Sequence, residues 1–353
     1  MKDNRFLRLL SALLLVLLAF SSCSKDDDPT PESDAEYTGI PGVIYDTDIG
    51  SSTDDLFALR IIYDQADKGN CHLLGGIVCR MGEDKIALAD LMNTFYGYGS
   101  IPMGVERNGV ENPNAYIPYS DICYYTDLND NPIFPRSISD YSALPDGWKL
   151  YRQLLAGQPD HSVIICAIGF MSTVSQLLDS QPDELSNLNG VDLVAKKVKG
   201  IYVMGGKFEE NNNGTGYNFG HNEQALNFSR NFLQKWPASV NIYFSPSQIG
   251  DAVDYSPEQV IADINWTDTH PIKSVYSNFN CNTGQRMWDA LSAIQALYGD
   301  DYFNLSPRGT VTITTDKQML FTPDPNGNCF YQIYEPSQSD TYLQLIRDVT
   351  KRH

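Results

Sequence analysis

Basic residues are scarce in this chain: 25 Lys and Arg stand against 44 Asp and Glu among 353 residues, a formal net charge of −19. So acidic a surface argues against nucleic acid as a partner and suits solubility outside the cell. None of the 7 cysteines forms a Cys-x-x-Cys pair, which argues against a thiolate zinc site. Cys79 and Cys166 lie in apolar strand-like runs, where a small buried thiol is the expected role. No apolar run is long enough to span a bilayer; the longest, Leu9 to Phe20, is too short. No internal repeat and no second linker divide the chain after residue 40, so a single domain is expected.

What is present begins at the N-terminus. Lys2, Arg5 and Arg8 precede the Leu9 to Phe20 run, the layout of a secretory signal. Phe20-Ser21-Ser22-Cys23 resembles a bacterial lipobox, in which the Cys becomes the lipidated first residue. Ser24-Lys25-Asp26-Asp27-Asp28 resembles the acidic signal that sends some bacterial lipoproteins to the cell surface. Asp26 to Gly39 is rich in Asp, Glu, Pro and Ser and carries too little apolar surface to fold. The expected organisation is a lipoprotein signal over 1–22, lipidated Cys23 and an acidic tether over 23–39, and a folded domain over 40–353. An exported lipoprotein on the outer membrane, facing the periplasm or the outside, follows from it.

The folded part opens on Val43-Ile44-Tyr45-Asp46-Thr47-Asp48-Ile49-Gly50, then Asp54-Asp55 before a helical pattern of Leu56, Leu59 and Ile62. This is a strand, a tight turn and a helix start, with four carboxylates around one turn. Carboxylates so crowded repel one another, so the readings are a bound cation or a solvated helix cap. Strand and helix signals then alternate: strands at Leu73 to Cys79, Ile101 to Val105, Ser162 to Ile168 and Val198 to Met204, helices at Lys85 to Tyr96, Trp148 to Ala156 and Thr173 to Leu178. That alternation predicts an α/β domain with a mostly parallel central sheet flanked by helices on both faces. Gly109 to Leu144, rich in Pro, Asn, Asp and Tyr, is a loop of a length usually tied to function or partial disorder.

Asp46-Thr47-Asp48 alone suits three families. The Asp-x-Asp of haloacid-dehalogenase-type phosphatases is one, although Gly50 departs from it. A calcium loop is another, although Phe57 stands where its last carboxylate belongs. The third is similar over nearly the whole folded part: Asp-Thr-Asp-x-Gly followed by Asp-Asp resembles the nucleoside hydrolases, including the inosine-uridine preferring type. Further stretches carry the same resemblance in the same order. They are Ile168-Gly169-Phe170-Met171-Ser172-Thr173, then Met204-Gly205-Gly206 with Asn218, and Trp288-Asp289 at a late helix start.

That resemblance implies a Rossmann-like nucleoside hydrolase fold and Ca²⁺ held by Asp48, Asp55, the Ser172 carbonyl and Asp289. It implies Asp48 as the base that takes a proton from water, with Asp54, Asn218 and Glu83 facing the ribose. The leaving base would be assisted by Trp288 or by His221. The implied reaction is calcium-dependent hydrolysis of the N-glycosidic bond of ribonucleosides or related ribosides. Off-pattern residues at Ser52, Gly216 and Glu83 point to an altered sugar pocket, and a non-catalytic nucleoside- or sugar-binding lipoprotein is the alternative. The partners expected are a small nucleoside or riboside, the membrane only through the lipid, and a second copy of the chain as a candidate homo-oligomer.

Overall fold

Val43, Ile44 and Tyr45 are fully buried, as a strand covered on both faces requires. The computed structural model describes residues 37–50, 52–111, 118–208, 213–278 and 286–352. The signal, Cys23 and most of the tether lie outside them. The strands are β1 (Gly42–Thr47), β2 (His72–Arg80), β3 (Met103–Val110), β4 (Val163–Ala167), β5 (Val198–Met204), β6 (Asn241–Ser245), β7 (Gly309–Ile313), β8 (Met319–Pro323) and β9 (Cys329–Tyr331). They form one nine-stranded sheet in the order β3-β2-β1-β4-β5-β6-β9-β7-β8. From β3 across to β9 the pairs are parallel; β7 pairs antiparallel with both β9 and β8. The expected mostly parallel α/β domain is what the chain adopts.

The helices are α1 (Asp54–Asp67), α2 (Glu83–Phe95), α3 (Gly147–Ala156), α4 (Ser172–Asp179), α5 (Gly190–Lys197), α6 (Gly216–Gly220), α7 (Glu223–Lys235), α8 (Ser247–Gly250), α9 (Pro257–Asp263), α10 (Pro271–Asn278), α11 (Trp288–Tyr298) and α12 (Ser339–Thr350). They divide the core in two. Val43, Tyr45 and Val78 face a layer from α1, α2, α11 and α12, while Ile44, Ile77 and Ile165 face α3, α4, α5 and α7. Strand alternation sends successive side chains of β1 to opposite layers, which later separates Asp46 from Thr47.

Among the elements absent from the sequence reading, α5, β6, α9 and α10 are short, and two of them are set by caps instead of long periodicity. Asn189 Oδ1 accepts from Asp192 N (2.9 Å) to start α5, and Ser256 with Gln259 forms a capping box around Pro257 to start α9. The described part of the Gly109 to Leu144 stretch is packed loop with two 3₁₀ turns, Pro118–Tyr124 and Tyr141–Ala143. Asp90 of α2 anchors it, accepting from Ser137 N (3.1 Å), Ile138 N (3.0 Å) and the Tyr141 hydroxyl (2.9 Å). The five described cysteines, Cys79 and Cys166 among them, are buried free thiols.

His270 is buried against Phe95 and Trp266, with Nε2 2.9 Å from the Tyr96 hydroxyl. Burial first, then the charges of Arg60 and Lys273, push its pKa down to about 3. The unfolded chain therefore binds a proton that the folded chain refuses between about pH 6.5 and 3, and stability falls as pH falls through that window. His270→Gln should remove up to about 1.4 kcal/mol per pH unit of that slope. Urea unfolding at pH 6.5, 5.5 and 4.5 checks it; an unchanged slope would show that His270 does not titrate on unfolding.

Candidate active site

The sheet order makes β1 and β4 neighbours from which the chain winds off in opposite directions, the switch point where open α/β sheets place ligands beyond their strand ends. β1 delivers Asp46, Thr47 and Asp48 to that point, and β4 delivers Ile168 and Gly169, with Ile168 N donating to the Asp46 carbonyl at 2.7 Å. The two strand ends touch so closely that a Cβ on Gly169 would lie 2.5 Å from Asp48 N and press on the Cys79 sulfur. Only Gly fits there.

From this turn the carboxylates part. Asp46 points to the α3 and α4 layer, where Oδ2 accepts from the Tyr151 hydroxyl (3.0 Å) and from Thr173 Oγ1. Burial raises its pKa to about 7. Thr47 points the other way and donates to Asp55 Oδ1. Thr53 occupies the cap of α1, with its hydroxyl 2.8 Å from Tyr276, so Asp54 and Asp55 are first-turn residues and not the cap. Asp54 Oδ1 accepts from Ser52 Oγ, and Oδ2 accepts from Asp289 N at 2.9 Å. That last bond joins the first β-α turn to α11, from the far end of the chain.

Asp54, Asp55 and Asp289 are all buried, and each offers an oxygen within 4.8 Å of the others. Desolvation and then mutual repulsion hold Asp55 and Asp289 well above the usual carboxylate range; desolvation chiefly raises Asp54. At that spacing, and an effective dielectric near 20, each pair of ionised groups repels by about 3.5 kcal/mol, more than the ~1 kcal/mol an acid gains at a helix N-terminus. Burial of all three rules out the solvated-cap reading, and the trio could hold a cation. The donor set is all oxygen, as Ca²⁺ or Mg²⁺ prefers, and Asp55 Oδ2 is buried with no hydrogen-bond partner.

Above the trio opens a cavity of about 320 Å³, lined by Ser52, Asp54, Met204, Tyr217, Asn218, Ser247, Asp251, Trp288 and Asp289. Asn218 spends its amide hydrogens on the main-chain carbonyls of Ile168 (2.9 Å) and Met204 (3.3 Å), which leaves Oδ1 to accept from a ligand. Trp288 is held by its Nε1–H, which donates to Asp251 Oδ1 at 3.0 Å. Gly250 makes room for it, since a Cβ there would lie 2.5 Å from the Trp288 Cα.

The other expected site residues fall around this cavity. Asp48 is buried, with Oδ2 4.0 Å from Arg80 Nη1, and is not in the converging trio, where Asp54 stands instead. Ser172 opens α4 as a buried residue whose Oγ has no hydrogen-bond partner. His221 is exposed, its ring 4.6 Å from that of Tyr217 on the cavity wall. Burial and then the charge of Arg80 lower its pKa, which weakens its hold on a proton. Glu83 is exposed at the start of α2 and does not line the cavity. Sequence reasoning missed Asp251, Tyr217 and Arg80: Tyr217 lies in the five-residue α6 and Asp251 caps the four-residue α8, both too short to carry a pattern, and an Arg ending a hydrophobic strand was a signal left unread.

Gly169→Ala forces Asp48 off β4. We expect a loss of at least about 2 kcal/mol in chemical unfolding, together with loss of any divalent-ion binding; wild-type stability would mean the strand ends have slack that the close contact denies.

No family model matches the chain, and no curated protein does. Solved structures do. An inosine-uridine preferring nucleoside hydrolase from Bacillus anthracis superposes with a TM-score of 0.64 at 15% identity, covering 88% of this chain and 99% of that one. A purine-preferring ribonucleoside hydrolase from Gardnerella vaginalis gives 0.61 at 12%, covering 88% and 99%. The type III effector XopQ, complexed with adenosine diphosphate ribose, gives 0.64 at 13%, covering 90% and 95%. At these identities the likeness establishes the fold, and the chain has the fold of the nucleoside hydrolases.

Proposed function

We propose that this chain hydrolyses the N-glycosidic bond of ribonucleosides or related ribosides, releasing base and ribose, in a Ca²⁺-dependent reaction. The observation that carries this reading is the convergence of buried Asp54, Asp55 and Asp289 on the floor of a cavity of ligand size, in a fold shared with nucleoside hydrolases. Asp55 and Asp289 would hold the cation, with Asp48, the Ser172 carbonyl and the adjoining Asp54 completing an oxygen shell. When bound, a hard dication grips ribose hydroxyls and makes a nearby water more acidic. Asp48 takes the proton of the attacking water. Water oxygen adds to the anomeric carbon as the bond to the base breaks, and the base leaves with the bonding pair. Asp54 and Asn218 Oδ1 orient ribose hydroxyls, while Glu83, exposed outside the cavity, stays a weaker candidate for that role than either.

At the other end of the cavity Trp288, fixed by Asp251, offers an indole face to the base. Purines, with more overlap and an N7 that solvent can protonate, gain more from it than uracil does. His221, its pKa lowered and its ring beside Tyr217 outside the cavity lining, is the poorer source of assistance.

A second reading, a nucleoside- or sugar-binding protein without turnover, is favoured by two observations. Gly216 stands where the related pattern carries a sugar-gripping Glu, and the Arg80 guanidinium lies beside the proposed base.

Base release from inosine, uridine and p-nitrophenyl riboside, with and without chelator, decides between them. We expect turnover that chelation abolishes and Ca²⁺ restores, with inosine and p-nitrophenyl riboside ahead of uridine. Asp289→Ala should eliminate calcium binding by titration calorimetry. Metal-independent turnover, or an unchanged titration in the mutant, would sink the assignment; binding of nucleoside without turnover would establish the second reading.

We further propose, from the lipobox-like Phe20-Ser21-Ser22-Cys23, that the protein is exported and lipid-anchored at the outer membrane. Cys23→Ala should stop incorporation of labelled palmitate and leave the protein unprocessed or unanchored. Label still entering the mutant would overturn the anchor.

A further inference from the structure

Three arginines are buried among the described residues, and they are treated differently. Arg60 of α1 leaves Nε and Nη1 unpartnered but lies over the Tyr96 ring at 5.0 Å and donates from Nη2 to the Arg352 carbonyl at 3.1 Å, away from the acid cluster. Arg152 of α3 has its donors matched: Nε and Nη2 to Asp183 (2.7 Å each), Nη1 to Ser180 Oγ (3.0 Å), and Nη2 also to the carbonyls of Ser186 and Leu188. It is a structural clamp. Arg80 is just as inaccessible, 2% exposed, yet Nε and Nη1 have no hydrogen-bond partner. Removing a guanidinium from water without replacing its hydrogen bonds is costly, so such a group needs an explanation.

Its position supplies one. The β1–β2 register pairs Thr47 with Val78, so Arg80 ends β2 just beyond the point where β1 releases Asp48. Strand alternation puts Arg80 on the same face as Val78, which packs in the layer containing α1. The guanidinium thereby reaches the acid cluster, with Nη1 4.0 Å from Asp48 Oδ2. Its charge also acts on Asp55, Tyr119 and His221, which places it within electrostatic range of one wall of the site.

We propose that Arg80 is a resident cation of the acid cluster: it offsets the charge of Asp48 and Asp55 permanently, keeps the site folded when no divalent ion is bound, and weakens the hold on that ion. This rests on the metal-dependent reading of the same site. A fixed positive charge a few ångströms from a bound dication repels it through a medium that screens poorly, so the ion is exchangeable and not locked in. Arg80 is a positioning residue in this account. It acts on Asp48 through charge, at 4.0 Å, and not through a short hydrogen bond.

The test is calcium titration calorimetry on the full mature chain for wild type, Arg80→Met and Arg80→Lys, with melting temperatures in chelator and in excess Ca²⁺. Met removes the charge and keeps the packing, and we expect it to tighten calcium binding at least about tenfold. It should also lower the melting temperature in chelator more than in Ca²⁺. Lys, which keeps the charge, should stay within about threefold of wild type. Binding by Arg80→Met alone would overturn the calcium reading of the natural chain and, with it, the exchangeable ion of this proposal, since Arg80 would then fill the wild-type site. Equal or weaker binding in a cooperatively melting Arg80→Met protein would overturn the resident cation while leaving that reading intact. No binding by any of the three would overturn both.

Discussion

Five carboxylates meet where β1 and β4 part, and how their repulsion is managed decides the rest of the site. Asp46 is turned away into the α3 and α4 layer and shielded by the Tyr151 and Thr173 hydroxyls. Asp54 is tied to Ser52 and to the main chain of α11, and Asp55 to Thr47. Each of these bonds neutralises part of one carboxylate, and none supplies a full positive charge. The remaining imbalance at Asp48, Asp55 and Asp289 is what makes a cation, whether a bound metal, Arg80 or both, the natural completion of the cluster.

The fold that imposes this crowding also holds it steady. Two hydrophobic layers clamp the sheet, so the strand ends cannot relax away from one another, and Gly169 lets them approach to contact. α11 packs along α1, and the Asp289 main-chain N–H donates to Asp54 across that contact. An oxygen cage built on rigid elements is already organised before its ligand arrives, which lowers the ordering cost of binding. The other wall of the cavity is made differently: Tyr217 and Asp251 come from the short α6 and the end of α8, and only Trp288 comes from a long helix, α11.

Much of this was legible in residue order. The β-α alternation from Val43 to Met204 announced a parallel sheet, because period-2 and period-3.6 patterns are local properties. Asp-Thr-Asp-x-Gly with Asp54-Asp55, and Asp289 at a helix start, marked the acids that the structure brings together. α5, β6, α9 and α10 were not legible: they are segments of 5 to 8 residues whose stability comes from caps and neighbours, not from their own periodicity.

By itself, then, the sequence determined the architecture, the switch point and the identity of the crowded carboxylates, since strand ends and helix starts are written in local pattern and turn chemistry. Only the tertiary structure decided which acids converge and what opposes them. It joined Asp54 to Asp289 across the chain, drew Asp48 toward Arg80, left His221 behind Tyr217 and seated Trp288 on Asp251. Those pairings depend on strand register and helix packing between segments far apart in sequence, and electrostatics acts through that distance in space, which no linear spacing encodes.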